Sequence, residues 1–224
     1  MHRRLFVGAS LAAFVAPASA SDRLSQADAS TGLKQALTLA AQTATQRLGA
    51  RDGFFGDDRV RIPLPRALAN IQRNLHPLGM SGPLDDVQLR MNRGAEAAMP
   101  QARTLFVNAI RSITVEDAIG IVRGGDTAAT DYLRRRTEPQ LTTALRPPMQ
   151  AALASSGAFG ALDRANRVIA SSGLGGADLR SQVIDFAVFK ALDGAFLYIG
   201  EEERRIRRDP VRQTTGLLRE IFGR

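Results

Sequence analysis

Cysteine and tryptophan are absent from all 224 residues, and tyrosine occurs only twice. Without a thiol there is no disulfide, no thiolate nucleophile, no zinc knuckle, no c-type haem attachment and no lipid-modified cysteine. Histidine is nearly as scarce, with His2 close to the start and His76 the other copy. A Ser-His-Asp triad in the body of the chain would have to use His76, and a site needing two histidines there is excluded. His76 precedes Pro77 at the end of an apolar helical segment, where a cation favours a helix C-terminus, so its role reads as structural. Lysine is confined to Lys34 and Lys190, and arginine carries the remaining positive charge. Sustained strand alternation is missing throughout, and beyond residue 20 no apolar run reaches membrane-spanning length.

The first twenty residues carry the clearest positive signal. Met1-His2-Arg3-Arg4 is a short basic start, residues 5–16 are an apolar run, and Ala18-Ser19-Ala20 supplies the small residues of a cleavage site. That order is the pattern of a secretory signal peptide, too short for a permanent membrane span. Residues 1–20 are therefore expected to be removed between Ala20 and Ser21, leaving residues 21–224 as one periplasmic domain without a transmembrane segment. About 200 residues suffice for a single core. The formal charge of +8 falls to about +6 once Arg3 and Arg4 leave. An excess of that size reads as solubility rather than nucleic-acid binding. No cofactor is expected, and the partner classes are an envelope protein, a lipid or a small ligand.

The body of the chain reads at helical period. Leu33, Leu37, Ala41, Ala44 and Leu48 share one helix face, with Ser25 and Asp28 placed as a capping box. Residues 49–62 form a polar, Gly-rich stretch with Phe54 and Phe55 as an apolar plug, and Pro63 and Pro65 open a second helix. A long pattern runs from Leu84 to Ile113 with Pro100 inside it, which predicts a kink or two abutting helices. Thr114 and Asp117 cap a short helix ending at Gly124-Gly125. The next helix is predicted to end with the cations Arg134-Arg135-Arg136, and another to start at Thr137-Glu138-Pro139 and break or bend at Pro147-Pro148. Asp178 is placed as the cap of a final long helix burying Val183, Phe186, Phe189, Leu192, Phe196 and Ile199, and Asp209-Pro210 as a restart. The fold class is all-α, a single compact domain of roughly eight to ten helices.

Several stretches, in order, resemble one bacterial family. They include Met91-Asn92-Arg93-Gly94-Ala95-Glu96, Gly124-Gly125-Asp126-Thr127, Ala191-Leu192-Asp193-Gly194-Ala195-Phe196 and the run from Glu202 to Pro210. The chain is similar to the domain of unknown function 4197, secreted or envelope proteins of Gram-negative bacteria, over essentially all of its mature length. That resemblance implies export and one domain, and it brings no activity, substrate or site residues. Gly94 and Gly200 depart from the pattern by standing where alanine is expected, each costing a helix interior up to about 1 kcal/mol.

Candidate site residues are polar groups on apolar helix faces. Asn92 and Glu96 share a face, and with Asp117 or Asp193 opposite they form a polar cluster able to bind a divalent cation through oxygens. The simpler reading, which we favour, is that they cap or bond the end of a neighbouring helix. Gly124-Gly125 before a helix start suits an anion, yet a C-cap followed by an N-cap explains it without a ligand. Gly194 within a helix implies close approach by a crossing helix or a ligand. Glu201–Arg205 and Glu203–Arg207 are spaced as i, i+4 ion pairs of a solvated, salt-bridged helix, the reading we favour over an arginine fork for phosphate or carboxylate or an Arg207 drawn inward onto Glu203. The leading reading is a non-enzymatic helical binding module. The alternative is a carboxylate-based hydrolase or lyase of envelope material, with two acids among Glu96, Asp117, Asp193 and Glu202 as acid and base.

Overall fold

The computed structural model describes residues 25–112, 114–116, 118–171, 179–213 and 215–223. Among them every regular element is helical. The α-helices are α1 (Gln26–Gly49), α2 (Arg66–Leu75), α3 (Gly82–Ser112), α4 (Ala118–Val122), α5 (Ala128–Ser155), α6 (Ala158–Ser171), α7 (Leu179–Arg208) and α8 (Gly216–Phe222). Two 3-10 turns, His76–Leu78 and Pro210–Arg212, join α2 to α3 and α7 to α8. No helix among the described residues is long and apolar enough to cross a membrane.

Four long helices close into a ring, α1 against α3, α3 against α5, α5 against α7 and α7 against α1. Alanine makes that closeness possible. Ala29, Ala36, Ala40, Ala41 and Ala44 of α1 are all buried, so the backbones on either side approach over methyl groups. Larger side chains fill the centre, where Phe106 of α3 meets Phe196 of α7 edge to face, with ring centres 5.3 Å apart. Each such fully buried aliphatic or aromatic side chain contributes about 1.5–3 kcal/mol relative to exposure. Outside the ring, α6 lies on α3, and α4 and α8 lie on α1.

Several boundaries differ from the sequence expectation. α3 runs through Pro100 and α5 through Pro139, Pro147 and Pro148 without a break. Pro100, Pro139 and Pro147 are solvent-exposed, so their rings lie on the outer faces of these helices and leave the packed faces undisturbed. The packed faces of α5 on α3 and α7 outweigh the local penalty. Arg134-Arg135-Arg136 consequently sits inside α5 and not at its end. Phe189 is 51% exposed rather than buried. After α7, Asp209 bonds the Val211 amide in a 3-10 turn, and the following helix begins later, with Thr215 as its N-cap. The caps assigned to Asp117 and Asp178 lie outside the described residues.

Candidate functional site

The segment between α1 and α2, residues 50–65, is irregular yet tied down at both ends. Phe54, Val60, Ile62 and Leu64 are buried, and the polar backbone between them needs partners once water is excluded. Asn92 of α3 reads Ile62 at two points. Its Oδ1 accepts from the Ile62 amide at 2.9 Å, and its Nδ2 donates to the Ile62 carbonyl at 2.8 Å and to the Gln88 carbonyl at 2.8 Å. One turn on, Glu96 accepts from the amides of Phe54 and Phe55 at 3.2 and 3.3 Å. Arg93 completes this anchor by donating to Glu96 at 2.8 Å and to Asp52 at 2.6 Å. Its guanidinium is held further toward the charged form, first by Glu96 and then by Asp52.

The same segment is fastened to α7 through the buried Tyr198. Tyr198 donates its hydroxyl proton to Asp57, and Arg59 donates to Asp57 at 2.7 Å, to the Tyr198 oxygen at 2.8 Å and to Glu201 at 2.5 Å. Arg47 and Arg59 both stack on the Tyr198 ring, at 4.4 and 5.2 Å from its centre. Hydrogen bonds from Arg59 and then Tyr198 hold the Asp57 carboxyl far below the usual carboxylate range. Burial, and then the bond to Asp57, push the Tyr198 hydroxyl up.

A third anchor joins α7 to the ends of α4 and α5. Glu203 accepts from the amides of Ala129 and Thr130 at 3.0 and 2.7 Å and from the Thr130 hydroxyl at 2.6 Å. Arg207 donates to Glu203 at 2.8 Å and to the terminal α4 carbonyls of Val122 and Ile121 at 2.7 and 3.1 Å. The anion that the start of α5 favours is thus supplied by the chain itself, and the cation sits on the carbonyl end of α4.

Between these anchors lies a trough of about 310 Å3 whose floor is α7. Lys190, Asp193, Leu197, Glu201 and Arg204 line it at i, i+3, i+7, i+11 and i+14, one stripe of the helix. Two glycines flank that stripe and let the walls close in. A Cβ on Gly194 would lie 3.1 Å from the Phe54 ring and 3.3 Å from Val60, so the 50–65 segment forms one wall. A Cβ on Gly200 would lie 3.3 Å from the Thr127 methyl, so the start of α5 forms the other. Arg59 and Arg61 line the first wall, and Thr127, Thr130, Asp131 and Arg134 the second.

The predicted site residues therefore fall in three places. Asn92 and Glu96 lie together in the first anchor, bonding the irregular 50–65 segment rather than the end of a helix, because that segment's buried amides lack partners of their own, and Glu203 and Arg207 lie in the third. Asp193 is on the trough floor, 3.1 Å from Arg134, apart from both pairs. Asp117, Ala20 and Ser21 lie outside the described residues. Among the described residues no group of three or more His, Asp or Glu is placed to hold a metal. Glu201 pairs with Arg59 rather than Arg205, because the returning 57–61 segment brings Arg59 onto α7, and Arg205 turns to Glu202 instead. Gly194 is approached by the 50–65 segment instead of a helix. Sequence reasoning missed the trough, although Lys190, Asp193, Glu201 and Arg204 at i, i+3, i+11 and i+14 were a readable charged line along one face of the helix.

Fold and site together define an all-helical domain with an internally braced loop and a charged trough along its last long helix. The chain belongs to the family described as protein of unknown function (DUF4197), whose profile matches residues 23–223. No curated protein and no solved structure matches it.

Proposed function

We propose that this chain is an exported, non-enzymatic binding module of the periplasm, and that its ligand occupies the trough on α7. The signal-like residues 1–20, with a junction at Ala20 and Ser21, support export. One observation carries the choice of site. Most charged groups of this protein are spent on one another, but Lys190 and Arg204 at the two ends of the trough make no side-chain hydrogen bond among the described residues. Their ion pairs are long, Lys190 to Asp193 at 3.8 Å and Arg204 to Asp126 at 3.7 Å, and Lys190 also lies 5.6 Å from the centre of the Phe189 ring. Uncommitted donors in a preformed concavity beside a 42% exposed Leu197 are what a binding site presents.

Acid–base chemistry on envelope material draws less support. Glu96 is spent on two amides and Arg93, buried Glu202 on Arg205 and Arg212, and Asp193 on Arg134. Native mass spectrometry of the protein, released gently from the cells that make it, tests the proposal alongside a Leu197→Trp variant that fills the trough. A bound mass retained by the wild type and lost from a normally folded variant is expected. Identical spectra from the two proteins would contradict it.

A further inference from the structure

The lining of the trough restricts what fits there. Five cations face it, Arg59, Arg61, Arg134, Lys190 and Arg204, against three carboxylates, Asp131, Asp193 and Glu201. The balance favours an acidic ligand, yet the carboxylates are spread along the whole floor and one wall. A compact polyanion such as a phosphate cluster would meet repulsion from them wherever it sat. Among the described residues the Asp131 carboxylate accepts from the Thr127 hydroxyl alone, at 3.2 Å, which leaves its oxygens able to accept from a ligand. The occupant thus needs acidic groups and N–H or O–H donors together.

Shape adds a second restriction. Lys190 and Arg204 are fourteen residues apart on one helix, about 21 Å of rise. An extended peptide advances about 3.3 Å per residue, so about six residues span that distance. The cations with free donors stand at the two ends, and exposed Leu197 stands midway, beside Phe196 and Val60. The pattern read along the floor is positive, negative, apolar, negative, positive.

We infer that the trough binds an extended acidic peptide segment of a partner protein, with carboxylates near both ends of a stretch of about six residues and a small apolar side chain between them. The end carboxylates meet Lys190 and Arg134 at one end and Arg204 at the other. Backbone amides of the peptide donate to Asp131 and Glu201, and Leu197 receives the central side chain. This rests on the trough being the ligand site and names the class of ligand.

The test is fluorescence anisotropy with labelled octapeptides bearing two glutamates at each end and Ala, Leu, Gly or Ser between them. Binding to the full mature protein that weakens with added salt is expected, as is a loss of roughly tenfold or more in the double variant Lys190→Glu, Arg204→Glu. Circular dichroism and a melting curve establish that the variant is folded. Matched peptides with glutamine for glutamate should bind at least as weakly as the variant binds the acidic ones. No binding, equal binding of the glutamine peptides, or binding indifferent to charge reversal overturns the inference. So does displacement of the acidic peptide by inorganic pyrophosphate at equal concentration, which would assign the donors to phosphate. If the peptides fail while Leu197→Trp still strips a native ligand in mass spectrometry, the trough stands as the site and only the peptide falls.

Discussion

Glu203 and Arg207, one turn apart on α7, close the ends of two other helices with a single ion pair. Glu203 covers the first free amides of α5, and Arg207 covers the last carbonyls of α4. Both side chains are nearly excluded from water, at 1% and 8% exposure. Such a pair is costly to bury and costlier to break, because removing one partner strands the other.

Arg207→Met should therefore destabilise the protein by about 3 kcal/mol, and Glu203→Gln by about 1–3 kcal/mol. The double variant should lose less than the sum, since the charge left stranded by either single change is gone. Urea denaturation of the four proteins checks this, and strict additivity would show that the two residues do not act as a pair.

The loop anchors on α3 make a second case. Glu96→Ala leaves two amides without their acceptor and Arg93 with Asp52 alone, and should cost about 2–4 kcal/mol, or several degrees in melting temperature. Asn92→Ala strands both polar groups of Ile62 and should cost a similar amount. An unchanged melting curve for Glu96→Ala would mean that the 50–65 segment is not held by this carboxylate.

Glycine substitutions separate close packing from helix preference. Alanine at Gly94 would put its Cβ 2.8 Å from the Leu153 Cδ2 and 3.2 Å from the Leu153 Cα, so backbone must move. The expected cost is about 1–3 kcal/mol, larger than the gain of up to about 1 kcal/mol in helix preference. At Gly200 the nearest contact is 3.3 Å from a threonine methyl, and the change should be near neutral. Melting temperatures of Gly94→Ala and Gly200→Ala should therefore differ, with Gly94→Ala the lower.

Asp57 gives a pH dependence with a definite sign. Its folded carboxyl titrates below the ordinary 3.8, so it adds stability above that value and loses it as pH falls below it. Tyr198→Phe removes one of the two hydrogen bonds that depress the carboxyl, and should move acid unfolding to higher pH. Asp57→Asn should flatten the part of the stability profile below about pH 4. Parallel profiles for wild type and Asp57→Asn would show that this carboxyl does not contribute.

Much of the fold was legible because apolar spacing repeats over long helices. The α1 stripe from Leu33 to Leu48 and its Ser25 cap are present as read. Proline misled in part, since two abutting helices at Pro100, a helix start at Pro139 and a break at Pro147 are local expectations, and packing along continuous helices of 31 and 28 residues outweighs them. At the site, spacing alone flagged Asn92 with Glu96 and Glu203 with Arg207. It did not flag Arg59 with Glu201, or Tyr198 with Asp57, because those contacts form only when segments about 140 residues apart are brought together. The inward turn of Arg207 runs against the solvated helix face that its charged neighbours suggest, because it is drawn in by the α4 carbonyls of Val122 and Ile121, and the trough likewise depends on both of its walls.

In-cell photocrosslinking from the rim of the trough tests it most directly, with a benzoylphenylalanine replacing the exposed Arg61 and the exposed position of Arg103 on α3 as the comparison. A discrete adduct from 61, absent from 103 and abolished by Lys190→Glu with Arg204→Glu, is the predicted result. The same adducts from both positions, or none from 61, would contradict the account.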